Sequence, residues 1–247
     1  MKIIPTQTKD DMASAAAEIF AEQISTKPDS VLGLATGETP RELYKSLIEK
    51  HDAGDLDFSK ISSFNLDEYV GLPKDHDQSY NWYMRDALFN HVNIADDNWH
   101  VPDGTATDLE AEGRAYDERI KEYGGVDLQL LGIGVNGHIA FNEPDSSFPL
   151  GTHPVDLTPS TIEVNSQYFA TPEEMPTKAL TMGIGSIFNA DRIVLIASGP
   201  SKADILYDAF FGPVTPKIPA SILQMHKDVT LIADEEALRV IREKGAL

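Results

Sequence analysis

Short runs of aliphatic residues alternate along this chain with longer segments in which apolar residues recur at helical spacing. The run at 126–134, VDLQLLGIG, is almost continuously apolar, as expected for a strand covered on both faces. Alternation of such strands with helices is typical of βα units. We therefore predict an α/β fold with a single doubly wound, Rossmann-like and mostly parallel sheet that carries helices on both faces.

The expected elements follow this pattern over the whole chain. Strands are expected at 30–37, 61–66, 126–134, 178–184, 192–198 and 229–234. Helices are expected at 11–24, 40–51, 80–92, 108–123, 201–210 and 235–244. The segment 142–176 is rich in Pro, Thr and Ser, so we expect loops and short strands lying over the sheet there. No linker and no repeat divides residues 1–247, which predicts a single domain.

Charge and composition argue against several classes of function. The formal net charge is −20, whereas nucleic acids and anionic membranes select clusters of Lys and Arg. The absence of cysteine excludes disulfides, a thiolate nucleophile and a cysteine zinc site. The N-terminus lacks an apolar signal-peptide core, and no stretch approaches the ~18 apolar residues of a membrane span. We expect a cytoplasmic protein with a small-molecule ligand, and neither nucleic acid nor a membrane as partner.

Ligands of doubly wound sheets bind beyond the carboxyl ends of the strands. Three loops are expected there: 35–40, 65–71 and 132–144. In ATGETPRE (35–42), Thr39 is a suitable N-cap, and Glu42 three residues later would complete a capping box. Free N–H groups at the start of that helix favour an anion such as phosphate, and Gly37 lets the backbone approach it closely. The alternative is a capped turn that binds no ligand.

The second loop, FNLDEYVG (64–71), places two acidic residues directly after a strand. Side chains of adjacent residues on an extended chain point in opposite directions. We therefore expect one of Asp67 and Glu68 to face the cleft and the other to face solvent. A carboxylate at the carboxyl end of a strand can act as a general base. Acidic residues at strand ends are also common as solvated turn residues, and the pattern alone leaves both interpretations open.

The third loop, GIGVNGHIAFNEP (132–144), begins with the G-x-G-x-x-G spacing of a dinucleotide-binding turn. Such a turn should open a helix, but β-branched and aromatic residues and then Pro144 follow, which argues against a dinucleotide. Asn136, His138 and Glu143 instead flank a tight turn, and a carboxylate beside an imidazole sets its tautomer and basicity. A structural histidine is the plainer interpretation of this spacing. We expect no metal at this loop.

Basic residues are few, which makes the position of Lys202 in SGPSKADIL (198–206) informative. It lies at the start of an expected helix, where the helix dipole disfavours a cation. From this mismatch we infer that Lys202 could meet an anion held by the loop at 36–39. The alternative is a solvated lysine in a first helical turn.

Together these loops resemble those of the glucosamine-6-phosphate deaminases, the isomerase/deaminase family of amino-sugar catabolism. The resemblance spans nearly the whole chain and is carried in order by LGLATGETP, FNLDEYVGLP, GIGVNGHIAFNEP, ALTMGIGSI and SGPSKA. It implies conversion of glucosamine 6-phosphate and water to fructose 6-phosphate and ammonia without a cofactor. It further implies a short enzyme of the non-allosteric type, which we expect to be a monomer or a small homo-oligomer.

The resemblance also implies roles for individual residues. Asp67 corresponds to the base that moves a proton between C2 and C1 of the sugar. His138 corresponds to the group that opens the pyranose ring, and Glu143 holds it. Asn136, where some members have Asp, orients the histidine. The residues that correspond to the phosphate-binding set are Thr36, Gly37, Glu38, Thr39 and Lys202.

Two departures from the family pattern lead to further expectations. Gln167 stands where the family commonly has a phosphate-binding arginine, and a neutral amide cannot make a bidentate, charge-assisted contact. We keep Gln167 as a candidate substrate contact and expect weaker substrate binding. His153 and Val155 stand where regulated, oligomeric members have basic residues for the effector N-acetylglucosamine 6-phosphate. We therefore expect no activation by that effector.

Two other functions fit the same expected fold. A 6-phosphogluconolactonase-like hydrolase would share the sugar-phosphate loops, but it has no evident need for the carboxylate of FNLDEYVGL as a C2 base. A sugar-phosphate sensor would keep the phosphate loop without catalysis, whereas Asp67, His138 and Glu143 are all present here. The deaminase therefore remains the leading hypothesis.

Overall fold

The computed structural model describes the backbone of residues 1–247 and all side chains except those of Ser160 and Val164. Its strands are β1 (Lys2–Thr6), β2 (Val31–Leu34), β3 (Ser62–Asn65), β4 (Asp67–Tyr69), β5 (Trp99–His100), β6 (Leu128–Leu131), β7 (His153–Asp156), β8 (Lys178–Thr181), β9 (Arg192–Ala197) and β10 (Val229–Asp234). Its helices are α1 (Lys9–Thr26), α2 (Arg41–Asp52), α3 (Tyr80–Ala87), α4 (Leu109–Glu122), α5 (Pro159–Ser166), α6 (Ile184–Phe188), α7 (Ala203–Phe211) and α8 (Arg239–Glu243).

The main sheet is parallel throughout, with the described strands in the order β1-β10-β9-β6-β2-β3-β5. The chain moves outward from β2 to β3 and β5, and in the opposite direction from β6 to β9 and β10. Because crossover connections are right-handed, this reversal places helices on both faces of the sheet. The predicted α/β fold with a mostly parallel sheet is therefore confirmed. The reversal lies between β2 and β6, where doubly wound sheets leave a crevice for a ligand.

A smaller antiparallel sheet, in the order β4-β8-β7, adjoins the carboxyl end of β3. The N–H of Met182 donates to the carbonyl of Leu66 at 2.7 Å, which ties β8 to the chain between the two sheets. The strand expected at 178–184 thus belongs to this second sheet. A satellite hydrophobic cluster lies beneath it, formed by Tyr69, Phe141, Leu157, Phe169, Met175 and Ala179.

The start of α2 differs from the prediction. Pro40 is the N-cap residue and already has helical dihedral angles, with φ −71° and ψ −17°. A proline has neither a hydroxyl nor a carboxylate to offer, and the helix has no side-chain cap. The capping box predicted from Thr39 and Glu42 is therefore wrong. The N–H groups before the helix keep their capacity to bind a ligand.

Other boundaries differ where tertiary contacts decide them. The expected helix at 235–244 begins only at Arg239, after a turn in which the carboxylate of Asp234 accepts the N–H of Ala237 at 2.8 Å. The expected helix at 80–92 ends at Ala87 and is followed by a 3-10 turn. The strands β1 and β5 and the helix α5 were not predicted, and β7 was expected only as one of the short strands within 142–176. None of the helices described here combines the length and apolar character needed to cross a bilayer.

Candidate active site

A cavity of about 420 Å³ lies at the carboxyl ends of the central strands, beside the reversal between β2 and β6. The loops that follow β2, β3, β6 and β9 contribute to its lining, together with α5. The structure brings the predicted catalytic and phosphate-binding residues together in this lining: Thr36, Gly37, Glu38, Thr39, Asp67, Asn136, His138, Glu143 and Lys202. Gln167 is the C-cap residue of α5, where it is exposed, and it does not belong to the lining described here.

Asp67 begins β4 just beyond the carboxyl end of β3, and it lines the cavity although the residue is only 6% exposed. No hydrogen bond to its carboxylate is found among the described residues. Burial raises the pKa of Asp67 to about 8, and the charge of neighbouring Glu68 acts in the same direction. The site therefore contains a poorly solvated carboxyl group that can exchange a proton near neutral pH.

Glu68 is buried rather than solvated, so the expectation that the second acid faces solvent is wrong. Its carboxylate accepts the backbone N–H groups of Tyr69 at 2.8 Å and of Tyr80 and Asn81 at 2.9 Å each. The latter two belong to the first turn of α3, whose N–H groups have no partner within the helix. Burial raises the pKa of Glu68 to about 7 against the opposing effect of these bonds. Glu68 thus joins β4 to the start of α3.

The turn after β6 brings His138 against Glu143. A side chain at Gly134 would put its Cβ only 2.2 Å from Cε1 of His138, so the imidazole ring requires glycine at that position. Nδ1 of His138 is buried and lies 3.4 Å from Oε1 of Glu143, within ion-pair distance but without hydrogen-bond alignment. The backbone N–H of His138 donates to Oδ1 of Asn136 at 3.2 Å. The predicted grouping of these side chains around a tight turn is therefore present.

Several donors surround the carboxylate of Glu143. Asn136 Nδ2 donates to Oε2 at 2.6 Å, and the hydroxyl of Thr161 in α5 donates to Oε1 at 3.0 Å. Burial by itself would raise the pKa of Glu143, but His138, Asn136 and Thr161 outweigh it and lower the pKa to about 2. Glu143 therefore stays ionised throughout the neutral range.

Lys202 lies in a 3-10 turn just before α7 and donates from Nζ to the carbonyl of Ile133 at 2.7 Å. Burial lowers the pKa of Lys202. The bond to Ile133 holds the ammonium group at the base of the turn that carries His138. The cavity thus combines this cation with the loop at 36–39, as the sequence predicted.

Some lining residues were not identified from the sequence. Tyr80 comes from the first turn of α3, and Thr161 and Asn165 come from α5, a helix that was not predicted. The sequence TPST at 158–161 carries an N-cap threonine and a proline in the first turn, which together could have indicated that helix. Tyr80 is the first residue of α3 and directly follows Ser79, the N-cap of that helix. Their place in the cavity depends on tertiary packing.

Comparisons with known proteins agree with this geometry. Residues 5–232 match the family of glucosamine-6-phosphate isomerases/6-phosphogluconolactonase. Glucosamine-6-phosphate deaminase of Thermoanaerobacter sp. (strain X514) is 52% identical over 244 residues, covering 99% of this chain and 96% of its own. The enzyme of the same name from Clostridium perfringens (strain 13 / Type A) is 51% identical over 242 residues, covering 98% of this chain and 100% of its own.

A solved structure is also similar over the full length. It is that of a monomeric glucosamine-6-phosphate deaminase, which superimposes with a TM-score of 0.94 at 45% identity and covers 97% of this chain and 100% of its own. The match of sequence, fold and cavity leads to one conclusion. This chain belongs to the family of glucosamine-6-phosphate isomerases and 6-phosphogluconolactonases.

Proposed function

We propose that this protein is a glucosamine-6-phosphate deaminase, which converts glucosamine 6-phosphate and water to fructose 6-phosphate and ammonia. One observation carries the proposal. A buried carboxyl group with a raised pKa and a histidine paired with an ionised carboxylate line the same cavity, beside a loop suited to phosphate. The relatives that share about half of this sequence are named for the same activity.

Ring opening is the role proposed for His138. It requires a proton to leave the C1 hydroxyl and one to reach the ring oxygen, which an imidazole can carry in turn. With Nδ1 of His138 facing Glu143, Nε2 is the ring nitrogen available to the substrate. The ionised Glu143 favours a proton on Nδ1 and stabilises the imidazolium that forms during transfer.

Isomerisation is the role proposed for Asp67. Its ionised form removes the proton from C2 of the open-chain sugar and returns it to C1 on the same face, which needs only one base. C2 then carries an imine, and water replaces the nitrogen there with release of ammonia. Because Asp67 is poorly solvated, its carboxylate is a stronger base than an exposed aspartate, and this favours removal of a carbon-bound proton.

Phosphate binding is proposed for the loop at 36–39 together with Lys202. Remote binding of the phosphoryl group would hold C1 and C2 against Asp67 and so lower the barrier of the chemical step. Gln167 stays a candidate contact with the substrate. If it weakens binding as expected, Gln167→Arg will lower KM, and an unchanged KM would count against that role.

The deciding experiment measures ammonia release from glucosamine 6-phosphate beside hydrolysis of 6-phosphogluconolactone. We expect ammonia release and no lactone hydrolysis, with a loss of about 10²-fold or more in His138→Gln. Lactone hydrolysis instead would favour the hydrolase, and substrate binding without turnover would favour a sensor. A panel of other hexosamine 6-phosphates would define the substrate preference.

Three further expectations accompany the proposed activity. A doubly charged sugar phosphate does not cross membranes unaided, which supports a cytoplasmic location. The continuous core on both faces of the main sheet supports a single domain over residues 1–247. The similar solved enzyme is a monomer, which supports a monomeric or small oligomeric state. The expected lack of effector activation stays a prediction.

A further inference from the structure

The loop that follows β2 is held from outside the cavity by side chains of three helices. The hydroxyl of Tyr83 in α3 donates to the carbonyl of Gly37 at 2.6 Å. Nζ of Lys9 in α1 lies 3.4 Å from the carbonyl of Glu38. Arg41, the first residue of α2, places its guanidinium 4.6 Å from the centre of the Tyr83 ring. None of the three supporting side chains belongs to the described lining of the cavity, so they act on a ligand only through the loop.

These contacts determine where the N–H groups of the loop point. In a trans peptide the C=O and the N–H point in opposite directions, and no cis peptide bond occurs along the described backbone. With the Gly37 carbonyl held outside by Tyr83, the N–H of Glu38 points to the cavity side. The Glu38 carbonyl, held by Lys9, directs the N–H of Thr39 in the same way. Backbone N–H groups that converge ahead of a helix are the donors that bind phosphate.

The backbone of the loop depends on this support. Gly37 has φ +108°, a conformation that other residues adopt only with strain, although a Cβ there would meet no atom within 4 Å. Glycine is also the residue that loses most conformational freedom when it is ordered. A hydrogen bond from Tyr83 to its carbonyl therefore restricts the least constrained point of the loop.

We propose that Tyr83 is a positioning residue for the phosphate site: its hydroxyl orders the loop at 36–39 so that the N–H groups of Glu38 and Thr39 converge on the phosphoryl group of the substrate. This inference rests on the proposed function, which assigns the phosphate to that loop. Burial raises the pKa of Tyr83 above its ordinary value although Arg41 opposes the shift, so the hydroxyl keeps the proton that it donates.

Arg41 has a supporting part in the same arrangement. An acidic side chain in an anion-binding loop would repel phosphate, and Glu38 is such a residue. Its carboxylate lies 3.7 Å from Nε of Arg41, while Nη1 of Arg41 lies 3.4 Å from Asp86. Arg41 thus offsets the charge of Glu38 and also packs on the ring of Tyr83. Both effects favour an anion at the loop.

Tyr83→Phe tests the inference because it removes only the hydroxyl. We expect the Kd for inorganic phosphate, measured by calorimetry, and the KM for glucosamine 6-phosphate to rise together by about three- to tenfold, the worth of one hydrogen bond. The kcat should stay within about twofold, since Lys202 and the remaining loop contacts would still hold the phosphoryl group, and with it C1 and C2, once the substrate is bound. Arg41→Gln should raise the phosphate Kd by a smaller factor, about two- to threefold.

Tyr207→Phe is the matched control. Tyr207 also has a cation near its ring, Lys244 Nζ at 4.9 Å, but it lies in α7 outside the cavity lining. This variant should leave the phosphate Kd and KM unchanged. Thermal midpoints close to that of the unaltered protein would show that both variants remain folded.

The outcomes separate this inference from the proposed function. An unchanged phosphate Kd and KM in Tyr83→Phe would overturn the positioning role even if the enzyme releases ammonia. A fall in kcat without a rise in KM would overturn it as well, because Tyr83 would then act on the reacting carbons. If phosphate binding weakens in Tyr83→Phe while the unaltered protein releases no ammonia, the positioning role stands and the proposed function fails.

Discussion

Asp67, at the start of β4, and Glu143, in the loop after β6, are carboxylates that line the same cavity, and their surroundings differ in almost every respect. Asp67 is buried beside another acid, and its pKa is raised to about 8. Glu143 accepts hydrogen bonds from Asn136 and Thr161, lies beside His138, and has its pKa lowered to about 2. A pair of acids whose pKa values are pushed apart in this way can perform two different tasks. The poorly solvated acid, for which the described part of the chain supplies no hydrogen-bond donor, can exchange protons, and the acid that accepts several hydrogen bonds stays ionised and holds charge.

The largest effect is expected from Asp67→Asn, which removes the proposed base. Turnover should fall by about 10³-fold or more because, of the other lining acids, Glu143 is engaged with His138 and has a low pKa, and Glu38 belongs to the proposed phosphate loop. The stability of the folded protein should rise instead. The folded pKa of Asp67 lies above its ordinary value of 3.8, so its contribution to stability is complete below about pH 4 and is lost as pH rises through about 8. An uncharged amide avoids that loss.

We therefore expect the thermal midpoint of Asp67→Asn at pH 7 to rise by about 2–4 °C, which corresponds to roughly 1 kcal/mol for a chain of this size. Calorimetry at about pH 4 and pH 7 checks the sign, since the gain should be smaller at the lower pH. A destabilised variant at both pH values would show that the carboxylate of Asp67 is held by favourable contacts, and the contrast with Glu143 would disappear.

Glu143→Gln should have the second largest effect and the opposite sign in stability. Loss of the charge beside His138 should lower turnover by about 10²-fold. The folded pKa of Glu143 lies below its ordinary value of 4.5, so its stabilisation is present above about pH 4.5 and is lost as pH falls toward about 2. The variant should melt about 3–6 °C lower at neutral pH because charge-assisted hydrogen bonds are weakened.

Melting curves of Glu143→Gln and the unaltered protein should therefore approach each other as pH falls below about 4.5. Glu163→Gln is a suitable control, because Glu163 is an exposed acid of the same region that does not line the cavity. It should change neither turnover nor stability measurably. Equal stability of Glu143→Gln and the unaltered protein at neutral pH would contradict the favourable surroundings assigned to Glu143.

The contrast between the two acids was only partly accessible from the sequence. The Glu143 side could be predicted, because Asn136, His138 and Glu143 lie within eight residues and a tight turn brings them together. The surroundings of Asp67 could not be predicted. One acid of the pair was expected in solvent, whereas both are buried, and only the packing of α3 against β4 shows that Glu68 accepts N–H groups of a separate helix.

The same limit applies to the fold. The parallel sheet could be predicted from local apolar runs, whereas the capping box at Thr39 was wrong and α5 was missed. Short strands such as β5 have two residues and exist only because a neighbouring strand pairs with them. Lys202 was identified from its unfavourable place near a helix start, but its bond to the Ile133 carbonyl depends on a turn 69 positions away. Local chemistry could be predicted, and contacts between distant segments could not.

Glu68→Gln should alter the pH dependence rather than abolish activity. Asp67 must be ionised to act as a base, so kcat/KM should rise with pH and level off above about pH 8 in the unaltered enzyme. Removing the charge of Glu68 lowers the pKa of Asp67 and should move this limb to lower pH, by less than about one unit. Stability should also fall, since the amide cannot accept all the N–H groups that the carboxylate accepts.

The measurement is the pH profile of kcat/KM, with Glu42→Gln as a control for an acid outside the cavity lining. A purely structural role for Glu68 would lower kcat/KM equally at all pH values and leave the limb in place. That result would show that the charge of Glu68 does not raise the pKa of Asp67, and burial alone would then account for the shift.

Asn136→Asp would place a second carboxylate beside Glu143, as Glu68 lies beside Asp67, and it should have the smallest effect. Aspartate can still accept the backbone N–H of His138, but it cannot donate to Glu143 as Asn136 does at 2.6 Å. Two carboxylates in contact raise the pKa of one of them, so the ionised state of Glu143 becomes less favourable. Because His138 keeps both its orientation and at least one neighbouring negative charge, we expect kcat at neutral pH to change by less than about fivefold.

Kinetics of Asn136→Asp and Asn136→Ala, compared at the same pH, separate the bond that Asn136 donates to Glu143 from the bond that it accepts from the backbone of His138. If the aspartate variant loses as much activity as Glu143→Gln, then the amide donor is as necessary as the carboxylate that it serves, and the low pKa of Glu143 depends chiefly on that one bond.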